Sequence, residues 1–533
     1  MANQNKVSKD LANRLWAIAN DLRGNMDSSK FKDYILGVIF YRYLSERTES
    51  YMDNLLKKDK VTYKEALKSE ELAPVVKEWS IDHLGYIIEP KNLFSTFVDE
   101  INENKFSIEH FENAISDLTA STIGQESETA FDKLFDDMNL QDKDLGKEVS
   151  QRTELISKVI LKISDIPFNI KDNKVDILGT AYMILIGLFA SDAGKKGGEY
   201  YSPTCACELL SKLATIGLTE VDSVCDPCAG SGSLLLQVQE QLKSHDVTHF
   251  YAQELNGTTY NLLRMNLLMH GVPYKKFTTF NDDTLKRDNF DEEKFQIQVS
   301  NPPYSAKHNL GKNYESDPRY SAVGVLPPKS KADFAFVEHI VYHIDDNGRA
   351  VVLLPNGVLF RGQSEDTIRR YLIDNLNCID AIIGLPDNLF HGTDIPVIAM
   401  YLKKNRGENS DNICFIDASR YYTQDKTSNI ITEQDIDRII NAYIERKDID
   451  KYCHIASIEE IKNNNYNLSI PRYVDTFEKE PIIEIKKVIK ELKNSKEKEK
   501  KIDKELSELV KELGLEAELW YLSCVFLILK KNG

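Results

Sequence analysis

The pattern with the clearest chemical meaning is Asn301-Pro302-Pro303-Tyr304, directly after the apolar stretch Phe295–Val299. The two prolines fix φ and remove two backbone donors. They leave a rigid turn whose acceptors are the Asn301 side-chain oxygen and backbone carbonyls, beside an aromatic ring. A planar amino group that donates both hydrogens there directs its lone pair toward an electrophile, and Tyr304 can stack on a base that has left a duplex. The pattern predicts methyl transfer to a planar nitrogen, and its plain alternative is an Asn-Pro turn at a strand end.

A glycine turn, Asp226-Pro-Cys-Ala-Gly230-Ser231-Gly232-Ser233, follows an apolar strand pattern and precedes an apolar helical run. Glycines at a strand-to-helix turn let the backbone approach a ligand closely, and the first amides of the helix point at that ligand. The third glycine of the dinucleotide motif G-x-G-x-x-G is missing, and the leading acid would repel a pyrophosphate. The turn therefore indicates a cationic ligand that carries an amine and a sulfonium.

Acidic residues also follow the next two candidate strands. Glu254 ends the second strand, 28 residues after Asp226, where a carboxylate can accept both ribose hydroxyls of a nucleotide. Asp283 follows the third strand, and a carboxylate there can accept the exocyclic amine of an adenine. Each acid alone is typical of solvated surface. Three acids at successive strand ends, with the N-P-P-Y turn after the fourth strand, predict one nucleotide-like cofactor site.

Three regions of the chain differ in their hydrophobic spacing. The first 165 or so residues have helical spacing, as in Leu11, Leu15, Ile18 and Leu22. From about residue 175 to residue 404, short apolar runs alternate with helical stretches, which indicates a parallel-rich α/β sheet covered on both faces. The seven candidate strands are Val221–Cys225, His249–Gln253, Phe277–Phe280, Phe295–Val299, Ala350–Leu354, Ile379–Gly384 and Val397–Leu402. We predict a helical N-terminal domain over 1–170, a Rossmann-like methyltransferase domain over 171–475 and a helical tail over 476–533.

The tail carries apolar residues at helical spacing, but it contains little other apolar surface against which they could pack. This predicts a long helix, or a helical pair, whose apolar stripe needs a partner, as in a coiled coil. A helix that folds back onto its own chain is the alternative. The role of the apolar segment Leu519–Leu529, about half the length of a membrane span, stays open. The stripes comprise Ile485, Val488 and Leu492, then Ile502, Leu506, Leu509 and Leu513.

Composition and charge narrow the class of protein. A hydrophobic content of 42% and a charged content of 28% fit an ordinary protein with large cores. The net charge of −17 would repel DNA phosphates over most of the surface. Any DNA contact is therefore local or is supplied by a partner. The polar start Met1–Asp10 and eight scattered cysteines favour a cytoplasmic location without membrane attachment. Cys205-x-Cys207 and Cys225-x-x-Cys228 resemble zinc spacing only superficially, and we expect no metal.

With these motifs, the chain resembles the modification subunit, a DNA methyltransferase, of type I restriction–modification systems. The resemblance covers nearly the whole length, except the tail after Leu515. Two departures are the exchange of Cys228 and Ala229 in the glycine turn and Asp282 in place of the usual glycine. The segments that carry the resemblance are Asn20–Asp27, Phe31–Tyr41, Gly198–Pro203, Asp226–Ser233, Glu254, Asp283, Asn301–Tyr304, Leu385–Phe390, Thr393–Pro396 and Tyr466–Tyr473.

The resemblance implies S-adenosyl-L-methionine as cofactor and adenine N6 in DNA as methyl acceptor. Asn301 and the Pro302 carbonyl would accept the two N6 hydrogens, and Tyr304 would stack on the extruded base. We interpret Phe360 and Phe390 as core residues. The alternative is that one of them covers the other face of the extruded base. His308 and His391 are interpreted as loop histidines. The implied catalytic residues are Asn301, Pro302, Pro303 and Tyr304, and the implied cofactor contacts are Glu199, Tyr200, Tyr201, Ser202, Pro203, Thr204, Asp226, Gly230, Ser231, Gly232, Ser233, Glu254 and Asp283.

The resemblance also implies that a separate specificity subunit reads the DNA site. Two copies of this chain would join one specificity subunit, and a restriction endonuclease subunit could join them. The acidic net charge and the lack of a second strand-rich pattern after Tyr304 point the same way. Two alternatives stay open. One is an N-P-P-Y methyltransferase that acts on protein glutamine or RNA, and the other is a catalytically silent scaffold that binds DNA or a partner.

Overall fold

Helices make up the N-terminal part of the chain, as the hydrophobic spacing predicts. The structure, a computed structural model, describes residues 2–22, 24, 26, 28–166, 168, 177–193, 202–242, 244, 247–390, 395–424, 428–476 and 485–512. The helices up to residue 193 are α1 (Ala2–Leu22), α2 (Ser28–Leu56), α3 (Tyr63–Ala66), α4 (Leu72–Leu84), α5 (Phe94–Asn102), α6 (Ile108–Ala120), α7 (Glu128–Phe131), α8 (Val149–Ser164) and α9 (Ile177–Ala193).

Helix α2 is the centre of this helical region. Its predicted apolar positions Phe31, Ile35 and Val38 are fully buried. Helix α9 packs against α1 and α2, with the rings of Trp16 and Phe189 edge to face at 4.9 Å. The apolar face of each helix therefore determines how these helices pack, since a short isolated helix has little stability in water.

A nine-stranded mixed sheet forms the centre of the second region. Its order is β11-β8-β6-β7-β5-β4-β1-β2-β3, and β7 and β11 run antiparallel to their neighbours. A two-stranded hairpin, β9 with β10, lies apart from it. The strands are β1 (Val221–Asp226), β2 (Val247–Glu254), β3 (Phe277–Asn281), β4 (Phe295–Ser300), β5 (Ile344–Pro355), β6 (Ile379–Gly384), β7 (Val397–Lys403), β8 (Asn412–Asp417), β9 (Thr423–Gln424), β10 (Asn429–Ile430) and β11 (Cys453–Ser457).

All seven predicted strands are present, and six of them extend one residue further at the carboxyl end than predicted, while only β2 and β5 begin earlier. Within the nine-stranded sheet the prediction missed β8 and β11, and it also missed the hairpin strands β9 and β10. Strand β8 contains a short buried apolar run, but β11 is an edge strand whose polar His454 and Ser457 break the apolar pattern. The antiparallel direction of β7 was also not predicted, because strand direction depends on pairing and not on local residue types.

Helices cover both faces of the sheet. Alternate residues of β5 supply two different cores: Val351 and Leu353 join the core shared with the helical region, and Val352 and Leu354 join the core on the opposite face. The covering helices are α10 (Thr204–Thr215), α11 (Ser233–Gln241), α12 (Gly257–Met269), α13 (Pro318–Ser321), α14 (Asp333–Tyr342), α15 (Ser364–Arg370), α16 (Glu433–Glu445) and α17 (Ile458–Asn463).

The chain divides into a unit over residues 1–475 and a second unit over residues 476–533. The described part of the second unit is one helix, α18 (Ile485–Glu512). Leu513 and the apolar segment 519–529 lie outside the described residues. Among the described helices, none is long and apolar enough to cross a membrane.

A buried arginine joins the helical region to the sheet. Arg264 of α12 donates to the carbonyls of Thr129 and Asp132, at 2.9 and 2.8 Å, and to the side chain of Asn261. Its guanidinium also lies 4.3 Å from the Tyr260 ring centroid. Helix α12 follows the strand that ends at Glu254, so these bonds fix the element that begins beside the predicted cofactor site.

We predict that Arg264→Ala lowers the free energy of unfolding by about 2–4 kcal/mol, because it leaves buried carbonyls without donors. Urea denaturation of the full chain measures this. Arg287→Ala is the matched control, since that side chain is 72% exposed and its removal should cost less than about 0.5 kcal/mol. Equal losses in the two variants would contradict a structural role for Arg264.

Candidate active site

The predicted site residues meet at one edge of the sheet. Strand β1 lies between β2 and β4 and runs parallel to both. Their carboxyl ends therefore bring Asp226, Glu254 and Asn301 to the same edge, which is where open α/β sheets bind ligands.

Asp226 lies at the centre of this edge and is fully buried. Its Oδ1 accepts from the Cys228 amide at 3.0 Å and from the Ser300 hydroxyl at 2.9 Å. Its Oδ2 has no hydrogen-bond partner among the described residues. Burial raises the pKa of Asp226 to about 7, while the two hydrogen bonds oppose that rise. The site thus has one buried acceptor without a donor, which suits a cationic group of a ligand.

Glu254, at the end of β2, binds the backbone of the glycine turn that follows β1. Its Oε2 accepts from the Gly230 amide at 2.9 Å, and its Oε1 accepts from the Asn256 amide at 2.8 Å. Burial raises its pKa, and these backbone bonds oppose the rise. Gly232 has φ of +78°, and a Cβ there would lie 2.6 Å from a methyl carbon of Leu263. The turn therefore requires glycine both for its conformation and for its packing.

The hydroxyls of the turn and the third acid have mainly local partners. Ser231 and Ser233 bond each other through their hydroxyls at 2.9 Å. The carboxylate of Asp283 accepts from the Leu285 amide at 3.1 Å and lies 2.9 Å from the Lys286 ammonium. Thr284 bonds the carbonyl of Pro227 at 2.6 Å, so the Asp283 turn lies against the glycine turn. Asp283 is thus close to the edge but its carboxylate is already engaged.

Asp282, which stands where the family that the sequence resembles usually has glycine, causes no backbone strain. Asp282 is not among the residues with positive φ, and its carboxylate accepts from the Asp283 amide at 2.8 Å. The glycine that is usual there is therefore not required for the conformation of this turn.

The N-P-P-Y turn has a defined hydrogen-bond arrangement. The Asn301 amide nitrogen donates to the Ser202 hydroxyl at 3.0 Å, and its Oδ1 accepts from the Tyr304 hydroxyl at 2.6 Å. The Tyr304 and Phe390 rings meet edge to face at 5.9 Å. Burial raises the pKa of Tyr304 well above its usual value, so its hydroxyl is a donor at neutral pH. Asn301 is held by its nitrogen, which leaves its oxygen as the acceptor that faces Tyr304.

The segment before β1 contributes to this turn through Ser202. Pro203 then precedes α10, which begins at Thr204. The predicted contacts Glu199, Tyr200 and Tyr201 lie outside the described residues. Within the turn itself, Pro302 is buried and Pro303 is exposed.

The aromatic and histidine interpretations have mixed outcomes. Phe390 is buried as predicted, although it packs on Tyr304. The interpretation of Phe360 as core is wrong, because its side chain is 49% exposed beyond the end of β5. His308 is a loop histidine, whose ring bonds the Pro328 carbonyl at 3.0 Å. His391 lies outside the described residues.

Sequence reasoning did not single out three residues that lie next to the predicted site residues. Ser300 ends β4 and donates to Asp226, and a small hydroxyl residue before Asn301 was a usable signal. Leu255 is 68% exposed beside Glu254, where an apolar residue after a strand-end acid can cover a flat ring. Asp333 accepts from the Ser305 amide at 2.7 Å and pairs with Arg361 at 2.6 Å, a contact that no local pattern predicts.

One group of metal-ligating side chains exists among the described residues, and it lies outside this edge. It comprises Asp288, His339 and His343 and contains no cysteine. Arg319 donates to Nδ1 of His339 at 3.1 Å, and His343 bonds Asp288 at 2.9 Å. The arginine supplies the positive charge in this group.

Comparisons with known proteins match this chain over nearly its whole length. The family profile described as N-6 DNA Methylase matches residues 173–481, and that described as HsdM N-terminal domain matches residues 11–163. The type I restriction enzyme MpnII methylase subunit of Mycoplasma pneumoniae is 34% identical, over 94% of this chain and 96% of its own length. The MjaIX methylase subunit of Methanocaldococcus jannaschii is 27% identical, over 96% and 92%.

A solved structure agrees with these matches. The type I restriction–modification methyltransferase subunit of Streptococcus thermophilus superposes with a TM-score of 0.82 at 38% identity, covering 88% of this chain and 100% of that one. The fold is thus a helical N-terminal region, a mixed and mostly parallel methyltransferase sheet and a C-terminal helix. The chain belongs to the N-6 DNA methylase family as a type I restriction–modification methylase subunit, an adenine-specific DNA methyltransferase that uses S-adenosylmethionine.

Proposed function

We propose that the residues at this sheet edge carry out the N6 methylation of adenine, with site specificity supplied by a second subunit. The observation that carries the assignment is the hydrogen bond from Asn301 to Ser202. Asn301 directly follows β4, which pairs with β1, the strand that ends at Asp226. In this arrangement the side-chain oxygen of Asn301 would accept a hydrogen bond from an amino group. The carboxylate of Asp226, which would bind a cationic cofactor, ends the neighbouring strand.

The residues at the edge fit S-adenosylmethionine. Oδ2 of Asp226 is a buried acceptor that lacks a donor among the described residues, and the ammonium of the cofactor supplies one. Glu254 would accept from the ribose hydroxyls, and the exposed Leu255 would cover one face of the adenine. When bound, the cofactor supplies an electrophilic methyl group on a positively charged sulfur. Asp283 remains a proposed contact, although its carboxylate is already engaged with its own turn and Lys286.

The N-P-P-Y turn supports recognition of an extruded adenine. The N6 hydrogens would be accepted by Asn301 Oδ1 and the Pro302 carbonyl, and the ring would stack on Tyr304. In this structure the Tyr304 hydroxyl donates a hydrogen bond to Asn301 Oδ1 at 2.6 Å. An incoming amino group therefore has to replace or share that bond, so the ring of Tyr304 and not its hydroxyl would be the useful part.

The reaction needs no general base in this arrangement. Two fixed acceptors, Asn301 Oδ1 and the Pro302 carbonyl, would direct the N6 lone pair toward the methyl group. Positioning of the adenine relative to the cofactor would supply much of the acceleration. After methylation the proton leaves to water. The roles of Asn301, Pro302, Pro303 and Tyr304 are therefore to bind and orient the amino group.

A local basic segment supports a contact with DNA next to the N-P-P-Y turn. The segment between Tyr304 and α14 contains four lysines, besides the buried Arg319, but only two acids, in a chain with a net charge of −17. Lys331 donates to the Ser305 hydroxyl at 2.9 Å, one residue from Tyr304. Phosphates attract such side chains. A contact of this small size fits a subunit that depends on a partner for site recognition.

Helix α18 is the proposed contact with that partner, in a complex of two copies of this chain and one specificity subunit. Its apolar side chains are exposed, including Val488, Leu492, Leu506 and Leu509. An apolar stripe of this length requires a partner surface. In the division that we propose, residues 1–170 and 171–475 form the helical and methyltransferase domains, and residues 476–533 serve in assembly. A restriction endonuclease subunit could join this complex.

We predict that cofactor binding by the full chain releases a proton from Asp226 at pH 6.5. The free carboxyl has a pKa of about 7, and a bound ammonium favours its ionised form. Cofactor affinity should therefore rise from pH 5.5 to pH 7, by up to about tenfold per pH unit. Calorimetry in two buffers of different ionisation enthalpy measures the release. Asp226→Asn should bind more weakly and show no buffer dependence, and a wild-type enthalpy that is independent of buffer would disprove the assignment.

We predict that Asn301→Ala lowers the methylation rate on the order of 100-fold or more while cofactor binding persists, because one fixed acceptor is lost. Asn54→Ala, an exposed asparagine of α2, is the matched control and should keep full activity. The assay measures transfer of labelled methyl groups to DNA in the presence of the specificity subunit. Transfer to RNA or to protein, but not to DNA, would favour the alternative acceptors.

We predict that Tyr304→Phe keeps most methylation and base extrusion, whereas Tyr304→Ala loses both. The phenyl ring preserves stacking and removes the hydroxyl that occupies Asn301. A fluorescent base analogue at the target position reports extrusion. If both variants were equally defective, the hydroxyl would be the working part of the side chain.

We predict that Leu492→Asp with Leu506→Asp weakens assembly with the specificity subunit but leaves cofactor binding intact. The control is Asn494→Asp with Ser507→Asp, which adds the same charge at polar positions of α18. Light scattering of each variant with its partner measures the mass of the complex. A full-sized complex from the leucine variant would remove α18 from the assembly and favour a helix that serves its own chain.

A further inference from the structure

Asp333, the first residue of α14, contacts the backbone directly after the N-P-P-Y turn. Its Oδ1 accepts from the Ser305 amide at 2.7 Å, and its Oδ2 accepts from Nη2 of Arg361 at 2.6 Å. The carboxylate side chain is only 1% exposed. Neither donor belongs to α14, so this carboxylate joins three separate segments of the chain.

Ser305, which donates to Asp333, has an unusual backbone conformation. Its φ is +51°, in the left-handed region that residues other than glycine seldom adopt. Such a conformation persists where the surrounding contacts impose it, and it is concentrated at functional sites. Because Ser305 directly follows Tyr304, its φ sets the direction in which the chain leaves the tyrosine.

Three hydrogen bonds hold residues 305 and 306 against residues 331–333. Besides the bond to Asp333, the Lys331 ammonium donates to the Ser305 hydroxyl at 2.9 Å, and the Ala332 amide donates to the Ala306 carbonyl at 2.9 Å. Of the three, the bond to Asp333 is the one that fixes the peptide unit between Tyr304 and Ser305. Asp333 is therefore the contact that most directly determines the conformation behind the ring.

The charge of Asp333 is balanced by the turn that follows β5. Arg361 of that turn also lies 2.9 Å from the buried carboxylate of Glu365. A buried carboxylate is stable where an opposite charge and hydrogen bonds satisfy it. Since β4 and β5 are paired, the contact between Asp333 and Arg361 fixes the N-P-P-Y turn relative to the turn on the neighbouring strand.

Asp333 acts on Tyr304 without a hydrogen bond between the two side chains. Burial raises the pKa of Tyr304, and the negative charge of Asp333 raises it further. The Tyr304 hydroxyl itself donates to Asn301. The carboxylate is thus close to Tyr304, and its direct contact with the turn is through the backbone amide of Ser305.

We propose that Asp333 is a positioning residue for adenine methylation, which holds Ser305 in its left-handed conformation and thereby keeps the Tyr304 ring where it stacks on the extruded base. Arg361 holds the carboxylate in place. The proposal rests on the function proposed above for Tyr304.

The test uses the full chain with the specificity subunit and two DNA substrates, one with adenine and one with 2-aminopurine at the target position. We expect Asp333→Ala to lower the methylation rate at saturating cofactor and DNA on the order of 10- to 100-fold, because a displaced ring misplaces the base. The 2-aminopurine signal of base extrusion should fall with it. Cofactor affinity, measured by calorimetry, should stay within about twofold, since the change lies in the acceptor side of the site.

A substitution at Ser305 separates the backbone conformation from a general loss of stability. Glycine adopts positive φ without a steric penalty. Ser305→Gly in the Asp333→Ala chain should therefore recover the methylation rate to within about threefold of Ser305→Gly alone. Loss of a merely structural contact would not be repaired in this way.

A further variant keeps the test valid if Asp333→Ala fails to fold. Ser305→Pro fixes φ at about −65° and removes the amide donor, in a loop where the side chain is only half-buried. It should lose base extrusion and methylation although Asp333 is intact.

Asp53→Ala is the matched control. Asp53 of α2 also accepts from a backbone amide, that of Tyr63 at 2.8 Å, but it belongs to the helical region. Its substitution should leave methylation and base extrusion unchanged.

Tyr304→Ala, measured alongside, distinguishes the two proposals. If it methylates and extrudes the base like wild type, the proposed function fails and this inference fails with it. If Tyr304→Ala is defective, this inference alone is overturned by any of three results: Asp333→Ala is as active as wild type, Ser305→Gly gives no recovery, or Ser305→Pro keeps full activity.

Discussion

The active edge of this protein depends on one buried hydrogen bond between two neighbouring strands. Ser300, the last residue of β4, donates to Asp226, the last residue of β1, at 2.9 Å. The bond joins the glycine turn to the N-P-P-Y turn, so it fixes the proposed cofactor side of the site relative to the proposed acceptor side. It also uses one oxygen of Asp226 and leaves the other without a donor among the described residues. The buried carboxylate is stable only if a ligand or a proton satisfies it, which is why its pKa is raised.

The helical region supports this edge from outside the sheet. Tyr43 and Arg264 bond carbonyl groups across the boundary between α12 and the N-terminal helices, and Asp137 accepts from Thr258 and Asn261. These contacts hold the start of α12, which follows Glu254 and Leu255. The helical region therefore has a physical role in the geometry of the site, although none of its described residues lies at the N-P-P-Y turn.

The distribution of charge is consistent with a subunit that performs chemistry and leaves recognition to a partner. The chain carries a net charge of −17, yet the loop after Tyr304 is basic. Surface repulsion would keep most of the protein away from DNA phosphates, while a local basic segment can accept one strand near the extruded base. The exposed apolar stripe of α18 is the surface that we propose for a protein partner.

The sequence by itself determined the helical region, seven of the nine sheet strands and the order of the motifs, because these depend on local spacing and on turn residues. It also identified Asp226, Glu254 and Asn301 as strand-end groups. Tertiary structure alone decided what these groups contact. The bond from Asn301 to Ser202 joins residues 99 positions apart, the direction of β7 depends on its neighbours, and the exposure of Phe360 depends on what packs around it. The engaged carboxylate of Asp283 shows the same limit, because burial and hydrogen-bond pairing are properties of the surroundings of a side chain and not of its type.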